Sequence, residues 1–322
     1  MTAPGQTVWT ELTGLPDELL ALAERCLAAD GGMPLATDPG FLGRRWAAPG
    51  VSAFGLVAAD GSLAAAGAAR LTPSGPFFTG LVDPAARGHG LGAALLDHGL
   101  SLAAGARAVA GPGKHAAVDD SAAAGGSSAE DGPLSAPGVT VETESLTEDA
   151  AALFESRGLR QVFAEDVMRI ELGDSLPAPV EWPPDVTVVS WDGAVVQRFH
   201  ATYHASFRDR PGFPGDPADE WIAENEDDDD FRPDSSLLVT VPGLGDAGFI
   251  TTARDWVVQV GVVPAARRHG LAAALLLEAL SRLRAAGSTH AWLTVNVNNP
   301  GAATLYRRLG FTDRGRRARY QP

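Results

Sequence analysis

The sequence predicts a mixed α/β (α+β) fold built twice, as two domains in tandem, each a mixed central sheet flanked by helices. Three observations point to it. The run P-A-A-R-G-H-G-L-G-A-A-L-L at 84–96 returns as P-A-A-R-R-H-G-L-A-A-A-L-L at 264–276, with Pro, Arg, His and Gly in register. Each copy follows an apolar run that reads as a strand and leads into an Ala/Leu-rich run that reads as a helix. Asp60-Gly61, set between two apolar runs, marks a hairpin, because this dipeptide accepts the positive φ angles of a tight type I′ turn. A chain of 322 residues has the length of about two domains of ~150 residues, and each can bury a core of its own.

In chain order, 7–12 reads as a short strand and 15–29 as a helix with apolar residues at helical spacing. The hairpin around Asp60-Gly61 follows, then a strand at 77–82 that delivers the chain to the first repeat. From 105 to 138 the sequence is small, polar and without period, which predicts a mobile insertion that cannot bury enough apolar surface to offset its ordering entropy. A strand at 139–143, a helix at 147–159 and a strand at 166–172 close the first half. The Pro-rich 176–185 reads as a linker. The second half repeats the order: strand 186–191, helices 194–207 and 216–226, strands 236–241, 248–252 and 256–263, helix 270–286, strand 291–297, helix 300–311 and a final basic strand. The expected domains are therefore 1–175 and 186–322.

A net charge of -15 argues against a nucleic-acid partner, since phosphate binding draws its affinity from clustered cations. It suits solubility and cationic small molecules. The single cysteine, Cys26, rules out an internal disulfide and reads as a small buried hydrophobe. No basic region with an apolar core opens the chain, and no run of about 18 apolar residues occurs. A cytoplasmic monomer or homodimer with no membrane partner and no metal centre is expected.

The repeated loop carries the chemistry. A helix start leaves backbone N–H groups unpaired at the positive end of the helix dipole, which makes an anion site. Gly90 and Gly270 admit close approach of phosphate oxygens to the backbone, and Arg87 and Arg267 stand ready to hold either the helix start or the phosphates. The loop looks built for a pyrophosphate. A Walker loop is excluded, because Gly113-Lys114-His115 has the wrong third residue and lies in the insertion. A dinucleotide fingerprint is excluded as well: Gly88, Gly90 and Gly92 do not keep its spacing.

The pattern V-x-P-x-x-R-x-x-G-x-G/A, at 82–92 and 262–272, resembles the coenzyme A loop of the GNAT acyltransferase superfamily. N-x-N-N-P-G-A-x-x-L-Y-x-x-L-G-F, at 296–311, resembles the last conserved block of that superfamily. The chain thus looks like a tandem GNAT protein, similar in layout to the mycothiol synthase-like acetyltransferases of actinobacteria, which act through their C-terminal half. The resemblance implies acetyl-CoA as cofactor and a small-molecule amine as acceptor. It implies that the backbone of Val260, Gly261 and Val262 meets the pantetheine arm as an added strand does. The amides of Arg267, Arg268, His269, Gly270, Leu271 and Ala272 would hold the pyrophosphate. Asn299 falls where the family contacts the cofactor, and Tyr306 where a hydroxyl reaches the thioester sulfur, the place of the general acid. In the first half the same cradle falls on Leu81 and Val82, then on Arg87, Gly88, His89, Gly90, Leu91 and Gly92.

The halves are not equivalent. Phe154 stands opposite Tyr306, and Leu146 and Thr147 stand opposite Asn298 and Asn299. Phenylalanine offers no proton, so catalysis is assigned to the second half. The family often places a carboxylate base on the strand before the loop, but Trp256, Val258 and Gln259 occupy the corresponding places here. Mycothiol synthase-like members carry a substrate-binding glutamate near the start of that strand, where this chain has Trp256. Asp255, Glu224, Glu226, His200 and His204 remain as base candidates, as does deprotonation through ordered water. The acidic run at 224–231 reads as solvated surface or as a field for a cationic acceptor. The loop at 208–215 falls where the family shapes its acceptor pocket, with Arg208, Arg210 and Phe213 available to line it. The basic run at 314–319 reads as a solvated strand face. A non-catalytic acyl-CoA-binding protein is the alternative of another class.

Overall fold

The computed structural model describes residues 8–110, 138–174, 176–179, 181–210, 213 and 215–322. The first half carries β1 (Thr10–Glu11), β2 (Ser52–Val57), β3 (Leu63–Thr72), β4 (Gly75–Val82), β5 (Thr140–Thr143) and β6 (Arg160–Glu171). Its helices are α1 (Asp17–Asp30), α2 (Pro39–Leu42), α3 (Leu91–Ala110) and α4 (Glu148–Ser156). The second half carries β7 (Thr187–Ser190), β8 (Leu237–Val241), β9 (Gly245–Ala253), β10 (Trp256–Val262), β11 (His290–Asn296) and β12 (Thr312–Gln321). Its helices are α5 (Val196–Phe207), α6 (Ala218–Glu226), α7 (Leu271–Ala285) and α8 (Pro300–Leu309). Residues 105–110, expected at the start of the insertion, form the end of α3. The rest of that insertion up to 137 lies outside the described residues.

The hairpin at Asp60-Gly61 forms with a different turn. Ala58 N–H donates to Ser62 O at 2.8 Å, Gly61 N–H donates to Ala58 O, and only Gly61 of the pair has positive φ, at 89°. This is a three-residue loop with a left-handed glycine rather than a two-residue type I′ turn. Asp60 accepts from the Ser62 amide and hydroxyl, which fixes the tip.

Two compact units divide the chain. One gathers the described residues up to 110, then 138–167, and Arg314–Pro322; the other runs Met168–Asp313. In the first, the strand order is β1-β2-β3-β4-β5-β12 followed by the first part of β6. In the second, the remainder of β6 is followed by β11-β10-β9-β8-β7. The compact units therefore do not follow the serial division at 176–185, because β12 pairs antiparallel with β5 through Ala318↔Thr143 and Tyr320↔Val141. β4 with β5 and β10 with β11 are the parallel pairs in the registers described.

Each unit has its own core. In the first, Leu19, Leu22 and Cys26 of α1 meet Ala53, Ala66 and Ala68 of the sheet, with Trp46 beside them. On the other sheet face α3 lies against β4, where a Cβ at Gly99 would come within 2.0 Å of the Phe78 ring. In the second unit Leu275, Leu276 and Leu280 of α7 are fully buried against β9 and β11. Burial of each contributes about 1.5–3 kcal/mol. The opposite face is covered by α5 and α6 with an aromatic layer of Trp191, Phe199, Tyr203, Phe207, Trp221 and Phe249. Among the described residues no helix is long and apolar enough to cross a membrane.

Candidate active site

The two repeat loops share one backbone path. A short 3-10 turn, Pro84–Ala86 or Pro264–Ala266, starts on a proline whose fixed φ suits the first helical position. Two left-handed residues follow, Gly88 (φ 80°) and Gly90 (φ 81°) in the first half, Arg268 (φ 70°) and Gly270 (φ 82°) in the second. The first helical bonds run from Ala94 N–H to Gly90 O at 3.1 Å and from Ala274 N–H to Gly270 O at 3.0 Å. The preceding amides, including those of Leu91, Gly92, Leu271 and Ala272, are left without an intrahelical acceptor, and Gly270 has no side chain to cap them. A Cβ added at Gly88, Gly90 or Gly270 would meet nothing within 4 Å, so space lies open over the loop. A Cβ at Gly92 would only touch Leu153 at 3.4 Å, which explains why Ala272 serves in the second copy.

The two conserved-register arginines hold the fold rather than the open side of the loop. Arg267 donates from Nε to Val262 O, from Nη2 to Ser206 O, and from both terminal nitrogens to Asp209. Arg87 donates from Nε to Val82 O and from both terminal nitrogens to Asp30. In each half the guanidinium ties the last strand carbonyl to the carboxylate at the end of the first long helix. The signal was present in the sequence as an Asp lying 57 and 58 residues ahead of the two arginines. His89 and His269 turn Nδ1 toward the loop's own carbonyls, of Arg87 and Ala266.

The strands before the loops part from their neighbours. β4 registers with β5 from Phe77↔Thr140 to Thr79↔Glu142, and Leu81 and Val82 run on past it. β10 registers with β11 at Trp256↔Trp292, leaving Val260, Gly261 and Val262 beyond the parting while they pair with Ile250, Phe249 and Gly248 of β9. Gly261 is required there, since a Cβ would stand 2.5 Å from the Phe249 ring and 2.8 Å from Ser206 Cβ. The β9–β10 register shifts between Val257 and Gln259, so Val258 is the inserted residue of a bulge. The β3–β4 pair runs without a shift from Thr72↔Gly75 to Ala65↔Val82.

The helices that follow also differ. Asn299 caps α8, its Oδ1 accepting from Ala302 N–H at 3.2 Å, and Thr147 caps α4 in the same way from Ala150 N–H at 3.1 Å. The alignment of Asn299 with Thr147 thus holds as a capping role. Tyr306 is nearly buried on α8, its ring 5.9 Å from that of Phe311. Phe154 on α4 packs edge-on against Tyr320 with centroids 5.0 Å apart, a partner supplied by β12 that local sequence did not reveal.

On the α5–α6 side Trp221 Nε1–H donates to Gln259 Oε1 at 3.2 Å. Tyr203 donates its hydroxyl to Asp216 at 2.8 Å, and His200 Nε2 lies 2.9 Å from Asp216 O. Of the remaining base candidates, Glu226 accepts from Trp191 Nε1, Glu224 lies exposed on α6, and Asp255 sits in the β9–β10 turn with φ 57°. His204 is exposed with its ring edge-on to Phe213 at 5.3 Å. Of the loop at 208–215, residues 211, 212 and 214 lie outside the described residues. Phe213 packs on the aromatic layer, and the Arg210 guanidinium lies 4.0 Å over the Phe207 ring. In the acidic run Asp230 pairs with Arg254 at 2.6 Å. The basic run is not a solvated face: Arg316 pairs with Asp166 and Arg317 with Glu165, because β12 lies inside the first unit's sheet.

A family model described as the acetyltransferase (GNAT) family matches residues 200–311. A mycothiol acetyltransferase of Thermobispora bispora is 31% identical over 315 residues, covering 94% of this chain and 94% of its own length. One of Nocardiopsis dassonvillei is 29% identical, covering 92% and 90%. Among solved structures, a GCN5-related N-acetyltransferase from Sphaerobacter thermophilus has a TM-score of 0.70 at 25% identity, covering 100% of this chain and 96% of that one. A tandem GNAT protein from the clavulanic acid biosynthesis pathway has a TM-score of 0.58 at 16% identity, covering 98% of each, and bears on the fold alone.

Proposed function

Because the chain belongs to the GNAT family of acetyltransferases, we propose that its second half transfers an acetyl group from acetyl-CoA to the primary amine of a small molecule by direct attack. One observation carries the assignment to that half: the bulged, parted β10 leads into the open loop and is followed by α8 with Asn299 and Tyr306, whereas β4 is unbulged and α4 presents Phe154. The loop amides of Arg268 to Ala272 would bind the pyrophosphate, and the free edge of Val260 to Val262 would align the pantetheine arm. Tyr306 would protonate the departing thiolate. Among the described residues of the second half no side chain stands out as the base, and the amine would lose its proton through water. The first half keeps the loop without the acid and is assigned no turnover.

Thiol release from acetyl-CoA with a panel of primary amines tests the reading. Amine-dependent release supports it; CoA binding without release for any amine overturns it in favour of a binding protein. A calorimetric count of CoA per chain reports whether the first loop is filled. A second reading is favoured by the full-length similarity to mycothiol acetyltransferases: the acceptor is the amine of a cysteinyl-pseudodisaccharide, and rates for that amine against the rest of the panel decide it.

A further inference from the structure

We propose that Gln259 selects acceptors that carry a hydrogen-bond-accepting oxygen, such as an amide carbonyl, next to the reactive amine. The inference rests on the acetyl-transfer reading only for the identity of the reacting group. Gln259 is the first residue past the bulge in β10 and lies beyond the point where β10 leaves β11, next to the edge of Val260 to Val262 proposed to align the pantetheine arm. Its side chain turns to α6 and meets Trp221 Nε1 at 3.2 Å. An indole N–H is a donor only, so the atom facing it is the amide oxygen. The orientation of a glutamine side chain, which is ordinarily ambiguous, is settled by that partner.

Trp221 is a firm anchor. It is 1% exposed, stacks on Tyr203 at 4.8 Å and 17°, and touches Trp191 and Phe249 at 5.6 and 6.1 Å. With its oxygen committed, Gln259 offers its surroundings two N–H donors from Nε2, for which no acceptor is found among the described residues. Nε2 keeps contact with solvent, and a ligand oxygen can take the place of water on these donors. The same donors repel an ammonium and cannot take its proton, which excludes Gln259 as a base and favours a neutral amine beside a carbonyl. The first half has no such group: Thr79, at the same distance ahead of the repeat, is buried and lies in register with Glu142.

The test compares alaninamide with isopropylamine, which lacks the amide, each at the same concentration of neutral amine because the alkylamine is the stronger base by about two pKa units, in the wild-type chain and in Gln259→Glu and Gln259→Met. Glutamate keeps an acceptor for Trp221 and replaces the donors by an acceptor; methionine removes both at similar size. The readouts are kcat/KM with acetyl-CoA and calorimetric binding of each amine to the CoA-loaded chain. The wild type is expected to prefer alaninamide by about tenfold or more, the scale of one hydrogen bond in a partly buried site. In both variants that ratio should collapse toward one, chiefly through KM. A wild type without preference in either readout, or variants that keep it, overturns the proposal. Selective binding lost in the variants, with no turnover for any amine, supports the role of Gln259 while sinking the transferase reading.

Discussion

Arg267 grips Asp209 at two points, with Nη1 to Oδ2 at 2.6 Å and Nη2 to Oδ1 at 3.0 Å, so the arginine of the repeat faces the fold. Arg267→Ala, which also gives up Val262 O and Ser206 O, should therefore cost more than Asp209→Asn, which removes the ion pair alone. Each loosens the junction of β10 and α5, and for the exposed ion pair alone Asp209→Asn should raise KM for acetyl-CoA by no more than about 2–5-fold. The double variant should add little. A rise in KM for acetyl-CoA of about 100-fold in Arg267→Ala with thermal stability unchanged would instead place the guanidinium on a phosphate.

Arg268 occupies the left-handed conformation that Gly88 occupies in the first repeat. A non-glycine residue pays about 1–2 kcal/mol there. Arg268→Gly is expected to raise the Tm of the second unit by ~2–4 °C in thermal unfolding. An unchanged or lower Tm would show that the Arg268 side chain earns more in contacts than its backbone loses.

Glu142, 2% exposed, lies with Oε1 2.5 Å from Arg70 and 3.1 Å from Arg45. Burial alone raises its carboxyl, and the charges of Arg45, Arg70 and Arg319 outweigh that and hold it below the ordinary value. A carboxyl lowered on folding adds stability above its unfolded value, and that stability is lost as pH falls through the folded one. The contribution is thus complete above about pH 4.3 and shrinks below it. Glu142→Gln should destabilise the first unit by about 3–5 kcal/mol near neutrality, and the gap in denaturation midpoint from wild type should narrow under acid. A gap that stays constant from neutral pH to pH 3 would argue against this role.

A chain ending at Asp313 should lose the first unit. It strips Arg317 and Arg316 from Glu165 and Asp166 and removes Ala318 and Tyr320, each 2% exposed, from the sheet. Limited proteolysis is expected to cut within 8–110 far faster than in the full chain. Equal resistance would mean that β12 is dispensable.

Tyr306→Phe should lower kcat by about 10²-fold or more if the phenol is the general acid, with KM for acetyl-CoA nearly unchanged. Phe154→Tyr should create no second activity, because β4 also lacks the bulge of β10. Turnover unaffected by Tyr306→Phe would remove the acid assignment.

The elements were legible because their signals are local. Apolar periodicity set the strands and helices around both repeats, and the glycines at 90 and 270, expected for close approach to the backbone, take left-handed φ. Asn299 and Thr147, opposed in the alignment as a difference between the halves, share a capping role that only the structure reveals. The turn at Asp60-Gly61 shows the limit, since one dipeptide serves two loop lengths and the strand register chooses between them.

By itself the sequence determined that two similar α/β halves exist, that each carries a glycine-bearing loop ahead of a helix, and that one has the tyrosine where the other has phenylalanine. Only the tertiary structure decided where the charged side chains are used. Arg267 and Arg87 close on helix-end carboxylates, the basic strand 314–319 pairs within the first unit, and Gln259 is turned by Trp221 into a donor. Strand exchange and side-chain partners depend on contacts between residues 38 to 179 positions apart. No local periodicity encodes such contacts, and they are selected when buried charges and lone donors must each find a partner on folding.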